Sequence, residues 1–227
     1  MTAAGAHGQE RAREVIAACL ACGPDIAEVV TARARLEAYP PRSALRTGHD
    51  PDERLFIVID GHARMHAYSL DGRLVVVEDF FSGDLFGEGA LTGAASSADE
   101  VSAVEQTVAG IIAAPEMVTL MSQYSAVAMA MSRLLVARLA SLTRRLVEGS
   151  TLSATGRIHA ELLRLARAGG GTRISPAPVN AQLALRVAST RETVSRTVSA
   201  LLKRGILARD GEDLLIVSPH RLEELVY

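Results

Sequence analysis

The sequence has 227 residues, 48% of them apolar and 22% charged, with a net charge of −2, a composition that excludes intrinsic disorder and suits two modest domains. Two cysteines exclude a disulfide scaffold. No uninterrupted apolar run approaches the roughly 18 to 20 residues that span a bilayer, and the N-terminus lacks a signal-peptide core, so the expectation is a cytoplasmic protein with no membrane partner.

The charge is unevenly spread. Residues 1–154 carry 13 Arg against 19 Asp and Glu, a net −6, and residues 155–227 carry 10 Arg and one Lys against 7 acids, a net +4. A basic C-terminal third is the footprint of a nucleic-acid binder, although a solvated arginine-rich surface gives the same count.

In chain order, residues 9–21 have helical apolar spacing, and Pro24 and then Pro40 and Pro41 punctuate the segment after them. From 55 to 112 the texture changes to short β-rich runs closed by turn signals at Gly61, Asp71-Gly72 and Ser82-Gly83-Asp84. This predicts an antiparallel β-roll or barrel, with Asp71-Gly72 as the sharpest hairpin signal because both turn positions of a type I′ turn need positive φ. His62 and His66, four apart on a strand, share a side and read as barrel or surface histidines.

Residues 116–148 contain no Gly or Pro and predict one long helix. Met117, Leu120, Tyr124, Val127, Met131, Leu135, Leu139, Leu142 and Leu146 recur on it at coiled-coil spacing. The helix is therefore expected to pair with a copy of itself through Tyr124, Val127, Met131, Leu135, Leu139, Leu142 and Leu146, the alternative being an ordinary core helix. Residues 149–153 read as a hinge, giving an expected division into 1–115, 116–150 and 151–227. Beyond it come a helix over 154–168, a short helix from Asn180 to Val187, a second from Thr190 to Lys203, a hairpin around Asp210-Gly211 and a final turn opened by Ser218-Pro219. Helices followed by a hairpin predict a winged helix-turn-helix, and the whole an α+β fold: antiparallel β-roll, long dimerisation helix, winged helix-turn-helix.

The second of those short helices opens with Arg191, Glu192, Thr193, Ser195 and Arg196, while Val187, Val194, Val198 and Leu201 face inward at helical spacing. Helix-turn-helix proteins insert this first turn of their second helix into the major groove. Arg reaches guanine O6 and N7 with two hydrogen bonds and Glu accepts from cytosine N4, so the cluster is suited to G·C pairs. Ser189-x-x-Glu192 also fits a capping box, a role for Glu192 that needs no DNA.

Residues 183–207 resemble the DNA-binding signature of bacterial regulators related to the cyclic-AMP receptor protein and the fumarate-and-nitrate-reduction regulator. Residues 55–61 resemble the strand and Gly turn of that family's cyclic-nucleotide-binding-like β-roll, residues 83–88 the entry to its effector pocket, and residues 154–158 its domain junction. The resemblance implies a homodimer on palindromic double-stranded DNA, with Arg191, Glu192, Thr193, Ser195 and Arg196 at the DNA, RNA polymerase as a partner, and Gly87, Glu88, Ser96 and Ser97 as effector-pocket candidates. One departure is Ala188, where many relatives have Gly in the turn; a left-handed Ala costs about 1 kcal/mol.

The pocket departs further. Relatives that bind cyclic AMP follow the Gly-Glu pair with an Arg-Ser or Arg-Thr pair whose guanidinium neutralises the cyclic phosphate. This chain has Ser96, Ser97, Asp99 and Glu100 there, and no Arg or Lys between Arg73 and Arg133. The expectation is a regulator without a cyclic AMP requirement and without a cofactor; the alternatives are gating by another nucleotide, haem or thiol redox chemistry. Cys19 and Cys22 are half the roughly four thiolates an iron–sulfur cluster takes, and read as buried helical cysteines. A metal-dependent β-barrel enzyme needs a His and carboxylate cluster; with no His from Tyr68 to Arg157, neither enzyme nor metal site is expected.

Overall fold

The computed structural model describes residues 3–47, 53–68, 74–92 and 100–226. The chain divides into two compact units, Met1–Arg138 and Leu139–Tyr227, so the division falls inside the long helix, upstream of the hinge expected at 149–153.

The first unit opens with α1 (Ala3–Cys19) and α2 (Pro24–Arg33). The strands follow as β1 (Arg35–Tyr39), β2 (Ala44–Arg46), β3 (Arg54–Asp60), β4 (His62–Tyr68), β5 (Leu74–Phe81), β6 (Leu85–Phe86), β7 (Glu100–Ala103) and β8 (Thr107–Ala113). Among the described residues they pair antiparallel in two sheets, ordered β1-β8-β3-β6 and β2-β7-β4-β5. The predicted β-roll is present but begins earlier than its sequence texture: β1 and β2 flank Pro40 and Pro41 and, at five and three residues, are too short to stand out. Tyr68 pairs with Leu74, so β4 and β5 form the expected hairpin, while Asp71 and Gly72 lie outside the described residues.

β3 is buried on both faces, and that is why residues 55–59 read as an unbroken apolar run. Phe56 and Val58 point into the roll, where Phe86 stacks on Phe56 at 4.8 Å and on Phe80 at 4.7 Å. Leu55, Ile57 and Ile59 point the other way, into a core closed by Ile16 of α1, Val30 of α2, and Met117 and Leu120 of α3 (Ala114–Gln123).

The expected single helix is two. Tyr124 adopts an extended conformation, φ −125° and ψ 104°, between α3 and α4 (Ser125–Thr151). No Gly or Pro marks this break; it lets apolar side chains of both helices, Met117 and Leu120 from one and Val127 and Met131 from the other, enter the same core. α4 then continues through Gly149 to Thr151, leaving Leu152 and Ser153 as the link; Ser153 caps α5 (Ala154–Ala168) by accepting the Gly156 N–H at 3.0 Å.

Among the described residues α4 is, by length and composition, long and apolar enough to cross a membrane. The expectation from uninterrupted runs missed this because Arg133 and Arg138 break the run without lowering its average much. Val127, Met131 and the Arg138 head are nevertheless packed into the β-roll unit.

In the second unit α5 is followed by β9 (Arg173–Ile174), α6 (Asn180–Arg186), α7 (Arg191–Lys203), β10 (Leu207–Asp210), β11 (Asp213–Ile216) and α8 (Pro219–Glu224). The core joins Ile158 and Leu162 of α5, Leu183 of α6, Val194, Val198 and Leu201 of α7, and Leu214 and Ile216 of β11. All four side chains assigned inward around the second helix, Val187 included, are buried. The wing turns at Gly211 with φ +60°, and β9 adds a third strand, too short to be read from sequence. Arg173 pairs with both Asp210 at 2.7 Å and Asp213 at 2.5 Å, pinning the wing to β9.

Candidate nucleic-acid interface and effector pocket

α7 begins where the chain has a side chain able to cap it. Thr190 is the N-cap: its Oγ1 accepts the Thr193 N–H at 3.2 Å and lies 2.9 Å from Thr193 Oγ1. The alternative reading of Ser189 and Glu192 as a capping box is therefore not what forms: the cap sits one residue later, and Glu192 falls too early in the helix to reach back as a box requires. Glu192 is instead 79% exposed and Arg196 72% exposed, 3.8 Å apart across one turn. Arg191 and Ser195 are exposed beside them, whereas Thr193 is half-buried with its hydroxyl committed to the cap. So Arg191, Glu192, Ser195 and Arg196 form one outward face, with Thr193 on its border.

Beside that face lies a groove of about 390 Å³ lined by Thr155, His159, Thr193, Arg196, Thr197 and Arg204. His159 is buried, and its Nδ1–H donates to the Leu225 carbonyl at 2.9 Å. Burial, chiefly, with the Arg204 charge behind it, lowers its pKa against the opposing pull of that carbonyl, which favours the neutral ring. Sequence reasoning missed Thr155, His159 and Arg204 as part of this surface, since α5 and α7 are brought together only by their packing.

The turn before α7 contains Ala188 at φ +47°, the left-handed conformation anticipated there. Arg157, read from sequence only as part of the domain junction, donates to the carbonyls of Val187 at 3.0 Å and Ala188 at 3.3 Å.

In the β-roll, Gly87 has φ +88°, and a Cβ there would lie 2.5 Å from the Arg54 carbonyl oxygen. Only glycine turns the chain here from β6 into the 3₁₀ turn Glu88–Thr92. Glu88 is paired with Arg138 of α4, whose guanidinium also donates to the Leu85 carbonyl at 2.5 Å and lies 3.7 Å from Glu78 and 5.5 Å from the Phe80 ring centre. One cation thus faces two carboxylates. Ser96, Ser97 and Asp99 lie outside the described residues; Glu100 opens β7 opposite His66.

The remaining candidates separate. His62 Nε2 meets the buried Asp79 at 2.5 Å, beside Arg64 at 2.7 Å, while His66 bonds Ser102 at 2.9 Å. No group of three or more His, Cys, Asp or Glu suited to a metal occurs among the described residues. Burial first, then the nearby Asp84 charge, pushes the Cys19 thiol up to about 12, so Cys19 rests as the protonated thiol at neutral pH.

Along α4, Val127 is 0% and Met131 2% exposed, and half-buried Tyr124 packs against the same core. These three, expected on a dimer seam, are taken up by the β-roll's own core. Leu135, Leu139, Leu142 and Leu146 are exposed, at 45, 66, 56 and 74%.

Residues 36–124 match the family model of the cyclic nucleotide-binding domain, and residues 156–225 that of the Crp-like helix-turn-helix domain. The chain belongs to the CRP/FNR family of DNA-binding transcription regulators. The CRP-like cAMP-activated global transcriptional regulator of Mycobacterium tuberculosis is 27% identical over 188 residues, 76% of this chain and 80% of its own. The cyclic AMP receptor protein of Thermus thermophilus is 26% identical over 189 residues, 83% and 87% of the two chains. Among solved structures, FixK2 from Bradyrhizobium japonicum is similar with a TM-score of 0.74 at 21% identity, covering 85% of this chain and 96% of its own, and shares the fold.

Proposed function

We propose that this CRP/FNR regulator acts as a homodimer that reads a palindromic operator with α7 and needs no cyclic AMP to do so. The observation that carries the reading is the outward first turn of α7, where Arg191, Glu192, Ser195 and Arg196 are exposed together. Thr155 and Arg204, in the flanking groove, are suited to the sugar-phosphate backbone, which positions a reader without specifying sequence. The dimer rests on the stripe of Leu135, Leu139, Leu142 and Leu146, which is exposed among the described residues; pairing would set two α7 helices on half-sites about one helical turn apart. RNA polymerase as a partner and a cytoplasmic location follow from the family alone.

Independence from cyclic AMP rests on charge. The M. tuberculosis relative is by its name cAMP-activated, but a cyclic phosphate entering beside Glu88 here would meet a guanidinium already shared between Glu88 and Glu78. Burying an anion without its own cation costs several kcal/mol.

Selection of bound duplexes from random DNA is expected to return a two-fold symmetric site, and Arg196→Ala to weaken it by about 1 to 3 kcal/mol per half-site while relaxing base preference. Recovery of no palindrome, or unchanged binding by Arg196→Ala, defeats the docking reading. Titration calorimetry with cyclic AMP is expected to show no binding at micromolar concentration; saturable binding with a roughly tenfold gain in operator affinity, a coupling of ordinary allosteric size, would establish cyclic AMP gating instead.

A further inference from the structure

Arg157 stands in the first turn of α5, and its one guanidinium reaches backbone carbonyls from two separate parts of the second unit. Nη1 donates to Leu152 at 3.0 Å, in the link that follows α4. Nε donates to Val187 at 3.0 Å and Nη2 to Ala188 at 3.3 Å, the last residue of the α6 cap and the left-handed residue of the turn. The Leu152 end is itself anchored, since its side chain is buried and its N–H donates to the Glu148 carbonyl at 2.9 Å, with Glu148 paired to Arg164 at 2.6 Å.

The turn has little else to hold an alanine at φ +47°. Ser189 N–H donates to the Ala184 carbonyl at 3.0 Å, and Thr190 caps α7 immediately afterwards. The dihedrals of Val187 and Ala188 therefore decide the direction in which α7 leaves α6. Hydrogen bonds from a guanidinium are charge-assisted and stronger than neutral ones, and its rigid planar fork can serve several carbonyls at once. A lysine ammonium keeps the charge but not that geometry.

We propose that Arg157 is a positioning residue for operator recognition: without touching DNA, it holds the strained α6–α7 turn in its left-handed form and ties that turn to the α4–α5 link. The proposal rests on α7 being the DNA-reading helix. It implies that the bonds of one side chain in α5 set the angle at which Arg191 and Arg196 are presented.

The test uses full-length protein carrying Arg157→Ala, Arg157→Lys, Ala188→Gly, and Arg157→Ala with Ala188→Gly. Affinities for the selected operator and for an unrelated duplex are measured together with amide hydrogen exchange. Arg157→Ala is expected to lose roughly tenfold in operator affinity, the scale of one or two charge-assisted bonds, with binding to the unrelated duplex changed by no more than about twofold, the error of additive treatment. Arg157→Lys is expected to lose nearly as much despite its charge. Ala188→Gly in the Arg157→Ala background is expected to recover most of the loss, because glycine adopts the turn without strain. The Ser189 and Val194 amides are expected to exchange faster in Arg157→Ala, and at wild-type rates again once Ala188→Gly is added, while the amides of α5 are unaffected.

A merely structural role would lower both affinities together and give no rescue at position 188. Unchanged operator affinity in Arg157→Ala, equal losses on both duplexes, or a defect that Ala188→Gly leaves intact would overturn the proposal. Should wild type select no sequence, the DNA-reading role of α7 fails; the exchange of Ser189 and Val194 still decides whether Arg157 holds the turn, and unaltered exchange there would dismiss it.

Discussion

The interior of the β-roll and the outward face of α7 use their arginines in opposite ways. In the roll, Arg138 is drawn into Glu88 and Glu78, and Arg64 onto a buried Asp79 shared with His62. On α7, Arg191 and Arg196 point outward, and the nearest acid, Glu192, is as exposed as they are. On the function proposed above, a guanidinium already shared between two carboxylates has little left for an anionic ligand, whereas cations left in water stay available to DNA. Arg138 and Arg64 thus serve the β-roll itself, whereas Arg191 and Arg196, unlike Arg157 and Arg173 of the same unit, are left facing solvent.

The largest test of this contrast is quaternary. Glu at both Leu142 and Leu146, exposed positions whose change leaves either core intact, is expected to give monomers by light scattering and to remove the avidity of two linked half-sites, about 10² to 10⁴ in operator affinity. A dimer that survives both changes refutes the seam.

Arg138→Ala is expected next, lowering the stability of the β-roll unit by about 1 to 3 kcal/mol because Glu88 and Glu78 are left facing each other partly buried. Denaturation followed separately for the two units should leave the DNA-binding transition unchanged. A neutral outcome would mean that the Arg138 cluster is a solvated surface pair and that the contrast between the units fails.

Thr190→Ala removes the α7 cap and is expected to cost about 1 kcal/mol of second-unit stability. Ser189→Ala is expected to have a much smaller effect, since the cap belongs to Thr190. Equal losses from the two substitutions would restore the capping box read from sequence.

The smallest effect is that of pH. His159 is held neutral by burial, below its ordinary 6.5, so between its lowered folded value and 6.5 the unfolded chain binds more protons. The stability of the second unit is therefore level above about 6.5 and declines as pH falls through it. His66, lowered chiefly by its own burial, gives the roll the same sign. His159→Gln should flatten the dependence of the second unit only, which melting at pH 5 and pH 7 would reveal.

What could be read directly from the sequence was whatever depends on neighbours along the chain. The strands between Gly61 and Ser82 were visible because pleated runs alternate and end in turn residues. α7 was visible because Val194, Val198 and Leu201 recur at one helical face while Arg191, Glu192 and Arg196 occupy the other. Ala188 was legible as a left-handed position because the family resemblance puts Gly there. What needed the tertiary structure depends on partners distant in sequence. The break at Tyr124 has no local signal and results from two helices sharing one core. Val127 and Met131 belong to the same apolar stripe as Leu142 and Leu146, and only the packing of the first pair against the β-roll decides which of these side chains remain exposed. Arg138 is fifty residues from Glu88 and Arg157 thirty from Val187; periodicity reports which face a side chain is on, and the packing of separate segments alone determines the carboxylate or carbonyl that a guanidinium finds there.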